Sequence, residues 1–213
     1  MLGAMRAESR YRGRSVDERR EERERRLLDA ALELMGGEPG YRGTTVAVLC
    51  GAAGLSTRQF YEHFRTLEEV LTRLYTSVNE RAEAAVLEAL GALDPVTAPL
   101  ADRVRAGLGA YARVTAGDAR WAQIAYVQIV GVNPTLERLR ADRRAHWAAL
   151  LAAEADQAAD RGEVSRRDWT LTTAAFIGAV NALLHDWAAG YVTAGFDEVV
   201  AELTDLLLAR LTY

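Results

Sequence analysis

Residues 44–64 read TTVAVLCGAAGLSTRQFYEHF, and the abrupt break inside this stretch restricts the fold more than any other feature. An apolar-periodic helix stops at Gly54-Leu55-Ser56, and another restarts at once carrying Arg58, Gln59, Tyr61 and His63. Thr44 or Thr45 is placed to cap the first helix, whose Val46, Val48 and Leu49 face inward. Gly54 ends it, because glycine adopts a left-handed backbone without a Cβ penalty. Ser56 caps the second helix, and Phe60 and Phe64, one helical turn apart, share its buried face. Helices joined by so short a turn cross steeply, and Cys50, Ala52 and Ala53 are small enough to permit it. The pattern is that of a helix-turn-helix, whose second helix projects far enough to enter a DNA major groove. Thr57, Arg58, Gln59, Tyr61 and His63 then face outward, with side chains suited to base edges or phosphates. Helix pairs with a glycine turn also occur in proteins that bind no nucleic acid, so geometry alone leaves both readings open.

The rest of the chain reads as helix throughout. Ala, Leu, Arg and Glu dominate, Pro occurs 4 times, and period-two runs of Val, Ile and aromatics are absent. Ser15 followed by Glu18 is a capping box opening a helix whose first turns hold Glu21–Arg25 and Glu22–Arg26 pairs. That helix turns amphipathic at LLDAALELM and stops at Gly36-Gly37. After the helix pair, a long helix is predicted from about Thr66 to Leu90, followed by a linker with Pro95 and Pro99. Further helices are predicted at about 100–116, 118–131, 134–160, 168–189 and 196–210. Asp118 and Asn133 serve as N-caps, and Pro134 takes the favoured first helical position.

Charge is divided unevenly. Residues 1–75 carry thirteen Arg against twelve acids, a net of +1, whereas residues 76–213 carry thirteen against eighteen, a net of −5. Such asymmetry is expected where one end of a chain meets a polyanion. Residues 1–14, with four Arg and one Glu, are expected to be a disordered arm. The charge-dense N-terminus is not that of a secretory signal. The uncharged run WTLTTAAFIGAVNALLH contains three Thr, Asn181 and His185, which argue against a bilayer span. A cytoplasmic protein without a membrane partner is expected.

RRLLDAALELM and then GYRGTTVAVLCGAAGLSTRQFYEHFRTLEEVL closely resemble the DNA-binding region of the tetracycline-repressor (TetR) family of transcriptional regulators, over about residues 19–75. The resemblance implies an all-α fold. A three-helix helix-turn-helix domain at about 15–70 would precede a larger helical domain at 71–213 for effector binding and dimerisation. It implies that Thr45, beside Thr44, contacts phosphate, and that Ser56, Thr57, Arg58 and Gln59 form the N-terminus of the recognition helix. Tyr61 and His63 match residues that commonly contact the DNA backbone. Two positions depart from the family pattern. Arg58 stands where Gly is frequent, adding a cation able to reach guanine bidentately. Leu67 stands where Lys is frequent, so Arg65 or the arm residues Arg6, Arg10, Arg12 and Arg14 are left to supply that phosphate contact.

In the C-terminal part the resemblance implies a homodimer through the last two helices and a small-molecule effector. Phe176, Ala179, Leu183, Val199, Val200, Leu203, Leu206 and Leu207 fit a dimer seam, with Gly178 allowing close approach. Candidates for an effector pocket are the aromatics Tyr111, Trp121, Tyr126, Trp147 and Phe176 and the isolated polar groups Gln128, Asn181 and His185. For each of these, core packing is the competing reading.

An enzyme is not expected. No nucleophile sits in a recognisable elbow, and no glycine-rich phosphate loop follows a strand. His63, His146 and His185 lack metal-ligand spacing, and the lone Cys50 cannot form an internal disulfide. No cofactor or metal is expected. The expected function is a dimeric repressor that a small-molecule effector releases from a palindromic double-stranded DNA operator. The alternative is a helix-turn-helix protein acting architecturally, or as an activator, without an effector.

Overall fold

The computed structural model describes residues 16–94 and 96–212. The Arg-rich arm, the Ser15 cap and Pro95 lie outside the described residues. The described residues form ten α-helices and one π-helical turn and contain no strand. In chain order they are α1 (Val16–Met35), α2 (Gly40–Gly43), α3 (Val46–Ala53), α4 (Thr57–Tyr61), α5 (Leu67–Gly91), α6 (Leu100–Ala116) and α7 (Ala119–Ala122). The π-helical turn Gln123–Gln128 follows, then α8 (Pro134–Asp160), α9 (Thr170–Ala188) and α10 (Phe196–Thr212). The all-helical expectation is met, and most ends fall within two residues of those read from the sequence. Short α2 has no counterpart in that reading, and the helix expected at 118–131 is split into α7 and the π-helical turn.

Two cores hold the molecule together. In the head, Leu27, Ala31 and Met35 of α1 meet Leu49, Cys50 and Ala53 of α3, Phe60 of α4, and Val70, Leu71 and Leu74 of α5. Leu27, Leu49, Phe60 and Leu71 have no exposed surface, and burying each contributes about 1.5–3 kcal/mol. Ile124, Ile129 and Leu136 come from outside the head and complete this core. Leu67, found where a family lysine is frequent, packs against the same core. The body core gathers Val104, Tyr126, Phe176, Leu184 and Leu203, among others, from α6, the π-helical turn, α9 and α10.

Helix α5 belongs to both parts. Its first half supplies Val70, Leu71 and Leu74 to the head, while Val78 joins the body core. At 25 residues it is about 37 Å long.

Two further contacts join head to body. At one, Gly36 approaches α7 so closely that a Cβ there would lie 2.6 Å from the Arg120 carbonyl oxygen. Arg120 also pairs with Glu33 of α1. The other is a chain of amides. The Tyr41 N–H donates to Gln128 Oε1 at 2.9 Å, Gln128 Nε2 to Gln123 Oε1 at 3.0 Å, and Gln123 Nε2 to the Ala188 carbonyl at 2.7 Å. It runs from α2 through the π-helical turn to the end of α9.

The α9–α10 pair corrects part of the expected dimer seam. Phe176, Val199, Leu203 and Leu207 are at most 7% exposed within a single chain. In α10 the spacing of four places Val199, Leu203 and Leu207 on one stripe, which faces the chain's own core. Leu206 is 41% exposed and Leu171 83%, and Ala179, Leu183 and Val200 are half-buried. The outward apolar face therefore runs along Leu171, Ala175, Ala179 and Leu206, which line one groove together with Phe176. No helix among the described residues is long and apolar enough to cross a membrane.

Candidate nucleic-acid interface and effector cleft

Local chemistry fixes the turn between α3 and α4. The Thr45 hydroxyl accepts from the Val48 N–H at the start of α3. Gly54, with φ 62° and ψ 38°, takes the left-handed conformation that closes α3. Ser56 and Gln59 then form a reciprocal capping box: the Ser56 Oγ accepts from the Gln59 N–H at 3.3 Å, and the Gln59 Oε1 from the Ser56 N–H at 2.9 Å. The turn is also clamped from α1, where Arg26 Nη2 donates to the carbonyls of Ala53 at 2.5 Å and Gly54 at 3.1 Å. Sequence spacing pairs Arg26 with Glu22; in the structure Glu22 pairs with Arg25 instead. No sequence signal distinguishes this clamp from an ordinary surface arginine.

Six of the nine residues expected at DNA are exposed: Thr45, Ser56, Thr57, Arg58, Tyr61 and Arg65. The Arg58 side chain is 91% exposed and lies 3.8 Å from Glu62, and Tyr61 is 61% exposed. Beneath them Phe60 and Phe64 pack with ring centroids 6.0 Å apart. The other three are engaged by the protein. Gln59 holds the capping box. Thr44 is buried and donates its hydroxyl to the Gly40 carbonyl at 2.7 Å. The His63 side chain is 1% exposed and lies 3.9 Å from Glu24. Desolvation pushes its pKa down, against the opposing pull of Glu24, and the imidazole faces inward.

In the body, a cleft with about 120 Å³ of internal space, opening to solvent, lies among α5, α6, α8, α9 and α10. Of the expected effector residues, Tyr111, Trp147 and Phe176 line it. Tyr111 and Trp147 meet edge to face with centroids 4.8 Å apart. Burial pushes the Tyr111 phenol up to about 12. Tyr126 lies behind this wall, its hydroxyl 2.7 Å from Thr115 Oγ1 and 3.2 Å from the Tyr111 hydroxyl.

The remaining four candidates do not line the cleft. Trp121 stacks under Arg81 at 4.8 Å, and Gln128 belongs to the head–body amide chain. The Asn181 amide donates to the Ile177 carbonyl within its own helix, and His185 pairs with Asp186 at 3.0 Å. Reasoning from sequence missed Arg103 and Glu154, which line the cleft as a pair at 2.6 Å, the arginine buried and the glutamate half-buried. Among the described residues, no group of three or more His, Cys, Asp or Glu is placed to hold a metal.

Residues 27–74 match the family model of bacterial regulatory proteins of the tetR family. Three solved structures share the architecture. The fatty acid degradation regulator FadR from Bacillus halodurans superposes with a TM-score of 0.74 at 16% identity, covering 87% of this chain and 94% of that one. FadR from Bacillus subtilis, solved in complex with stearoyl-CoA, gives 0.72 at 16% identity, covering 86% and 96%. The TetR-family regulator PfmR from Thermus thermophilus gives 0.65 at 26% identity, covering 86% and 97%. No curated protein matches the chain in sequence. Residues 27–74 thus carry the tetR-family match, and the chain has the fold of solved TetR-family regulators.

Proposed function

We propose that this protein is a homodimeric transcriptional repressor that binds a palindromic operator and leaves it when a small-molecule effector fills the body cleft. The observation that carries the reading is the capped and clamped α4, with Thr57, Arg58 and Tyr61 projecting to solvent. Thr45, Ser56 and Arg65 flank that face as phosphate contacts, and Arg58 reads a base edge. Residues 15–70 act as the DNA-binding domain and 71–213 as the effector and dimer domain. The dimer forms along the outward apolar face of α9 and α10, which presents two α4 helices to successive major grooves.

The effector reading is favoured over an architectural or activating role by α5. This helix lines the cleft with Val86 and Leu90 and enters the head core with Val70 and Leu71. An occupied cleft shifts α5 and with it the separation of the two α4 helices. A coupling of about 1–3 kcal/mol weakens operator binding roughly 5–150-fold. The test is a footprint of the purified protein on the DNA flanking its own gene across a salt series. A two-fold-symmetric protected site surviving near-physiological salt is expected. Unpatterned, salt-fragile binding there, followed by no motif in a selection from random DNA, would refute the reading.

A further inference from the structure

The polar groups around the cleft are already partnered within the protein. Trp147 Nε1 donates to Asn79 Oδ1 at 3.3 Å, and the Tyr111 hydroxyl lies against that of Tyr126. Arg103, 6% exposed, donates from Nε to Glu154 Oε1 at 2.6 Å, from Nη2 to Glu163 Oε1 at 2.9 Å, and from Nη1 to the Ala98 carbonyl. Arg161 reaches the same two oxygens, Glu154 Oε1 at 3.2 Å and Glu163 Oε1 at 2.6 Å. The Leu100 N–H donates to Glu163 Oε2 at 2.6 Å. Two guanidinium groups and two carboxylates thus form a closed set of zero net charge, each carboxylate shared by both cations. The rest of the lining is hydrocarbon or aromatic, including Val86, Leu90, Leu150 and Ile177.

A bound anion would have to displace a carboxylate from Arg103 or be buried without a counter-charge, and both are costly. We infer that the cleft takes an uncharged, hydrophobic small molecule, held by aliphatic contact and the Tyr111–Trp147 wall. Among the described residues, no unpaired cation lines the cleft to seat a carboxylate, a phosphate or a coenzyme A ester. The inference rests on the effector reading of the cleft and names the chemistry of its ligand.

Nile red, a neutral fluorescent probe, titrated into the full chain without DNA tests it, with decanol and decanoate as matched competitors. Saturable Nile red binding is expected, displaced by decanol about tenfold more effectively than by decanoate, a difference of about 1.4 kcal/mol. Displacement by decanol should not vary with salt. The substitution Glu154→Gln removes one negative charge from the set, leaving a net positive charge. It should narrow the tenfold ratio by strengthening decanoate, a gain that mere loss of structure does not produce. Gly107→Leu should abolish Nile red binding while keeping the helical circular dichroism spectrum, since a Cβ there points at Leu90 and Val86, 3.7 and 3.8 Å away.

Stronger displacement by decanoate or by stearoyl-CoA, weakening with salt, would overturn the inference and leave the effector reading standing. No binding of Nile red or decanol, with the footprint intact, would overturn both the inference and the effector reading but not DNA binding. Nile red binding with decanol preference but no DNA motif would support the inference and count against the proposed function alone.

Discussion

Replacing Gln123 and Gln128 by alanine, singly and together, tests whether the amide chain joins head and body as one unit. Gln128→Ala removes two hydrogen bonds, from the Tyr41 N–H and to Gln123 Oε1, and Gln123→Ala removes two, to the Ala188 carbonyl and from Gln128 Nε2. One bond is common to both, so the double variant removes three. The glutamines are partly exposed, so water reaches the freed groups and each bond is worth about 1 kcal/mol rather than the full cost of a buried orphan. Each single variant should therefore lose about 2 kcal/mol and the double about 3 kcal/mol, a coupling of about −1 kcal/mol. Urea denaturation followed by far-ultraviolet circular dichroism measures all four corners. A double variant that loses the sum of the singles, about 4 kcal/mol and within about 0.5 kcal/mol of additivity, would refute the shared bond. Singles that cost nothing would refute the chain itself.

Phe60→Ala should destabilise the head by about 3–5 kcal/mol, read as a lower urea midpoint, because Phe60 has no exposed surface. Arg58→Ala should cost about 1–3 kcal/mol in specific DNA affinity and relax preference at one base pair, with random-sequence binding nearly unchanged; an unchanged ratio of specific to random binding would contradict its base-reading role. Burial, assisted by Glu68, pushes the Tyr41 phenol up to about 12, and burial does the same for Tyr111. Raised folded-state pKa values make their contribution fully present below the ordinary value of 10.0 and lost as pH rises through about 12. A urea midpoint followed over that window should fall, and Tyr111→Phe should flatten part of the fall.

Much of the head was legible because its signals are local. A serine cap, a glycine stop and paired phenylalanines act within one turn of chain, so Ser56, Gly54, Phe60 and Phe64 stand where their spacing put them. What failed was partner identity. A buried stripe on α10 shows in the sequence, yet Val199, Leu203 and Leu207 meet their own chain, because periodicity marks a covered face without saying what covers it. Gln128 in an apolar run reads equally well as a ligand contact or a structural bond; its partner, the Tyr41 N–H, is 87 residues away. Arg103 and Glu154 lie 51 residues apart on α6 and α8, and nothing in their neighbourhoods separates them from exposed charges. His63 alternates with outward residues in sequence, but it follows the end of α4 at Tyr61 and lies under α1, 3.9 Å from Glu24, a contact that spacing within α4 does not show.

Five residues are too few for a helix to persist in water by itself. The shape that α4 presents is therefore borrowed from what lies under and beside it: the Phe60–Phe64 pair, the Arg26 clamp and the Ser56–Gln59 box. Warming loosens such a segment at a lower temperature than the long helices behind it. On the proposed function, DNA would then be released while most of the body is still folded, a thermal fuse in series with the proposed chemical sensor.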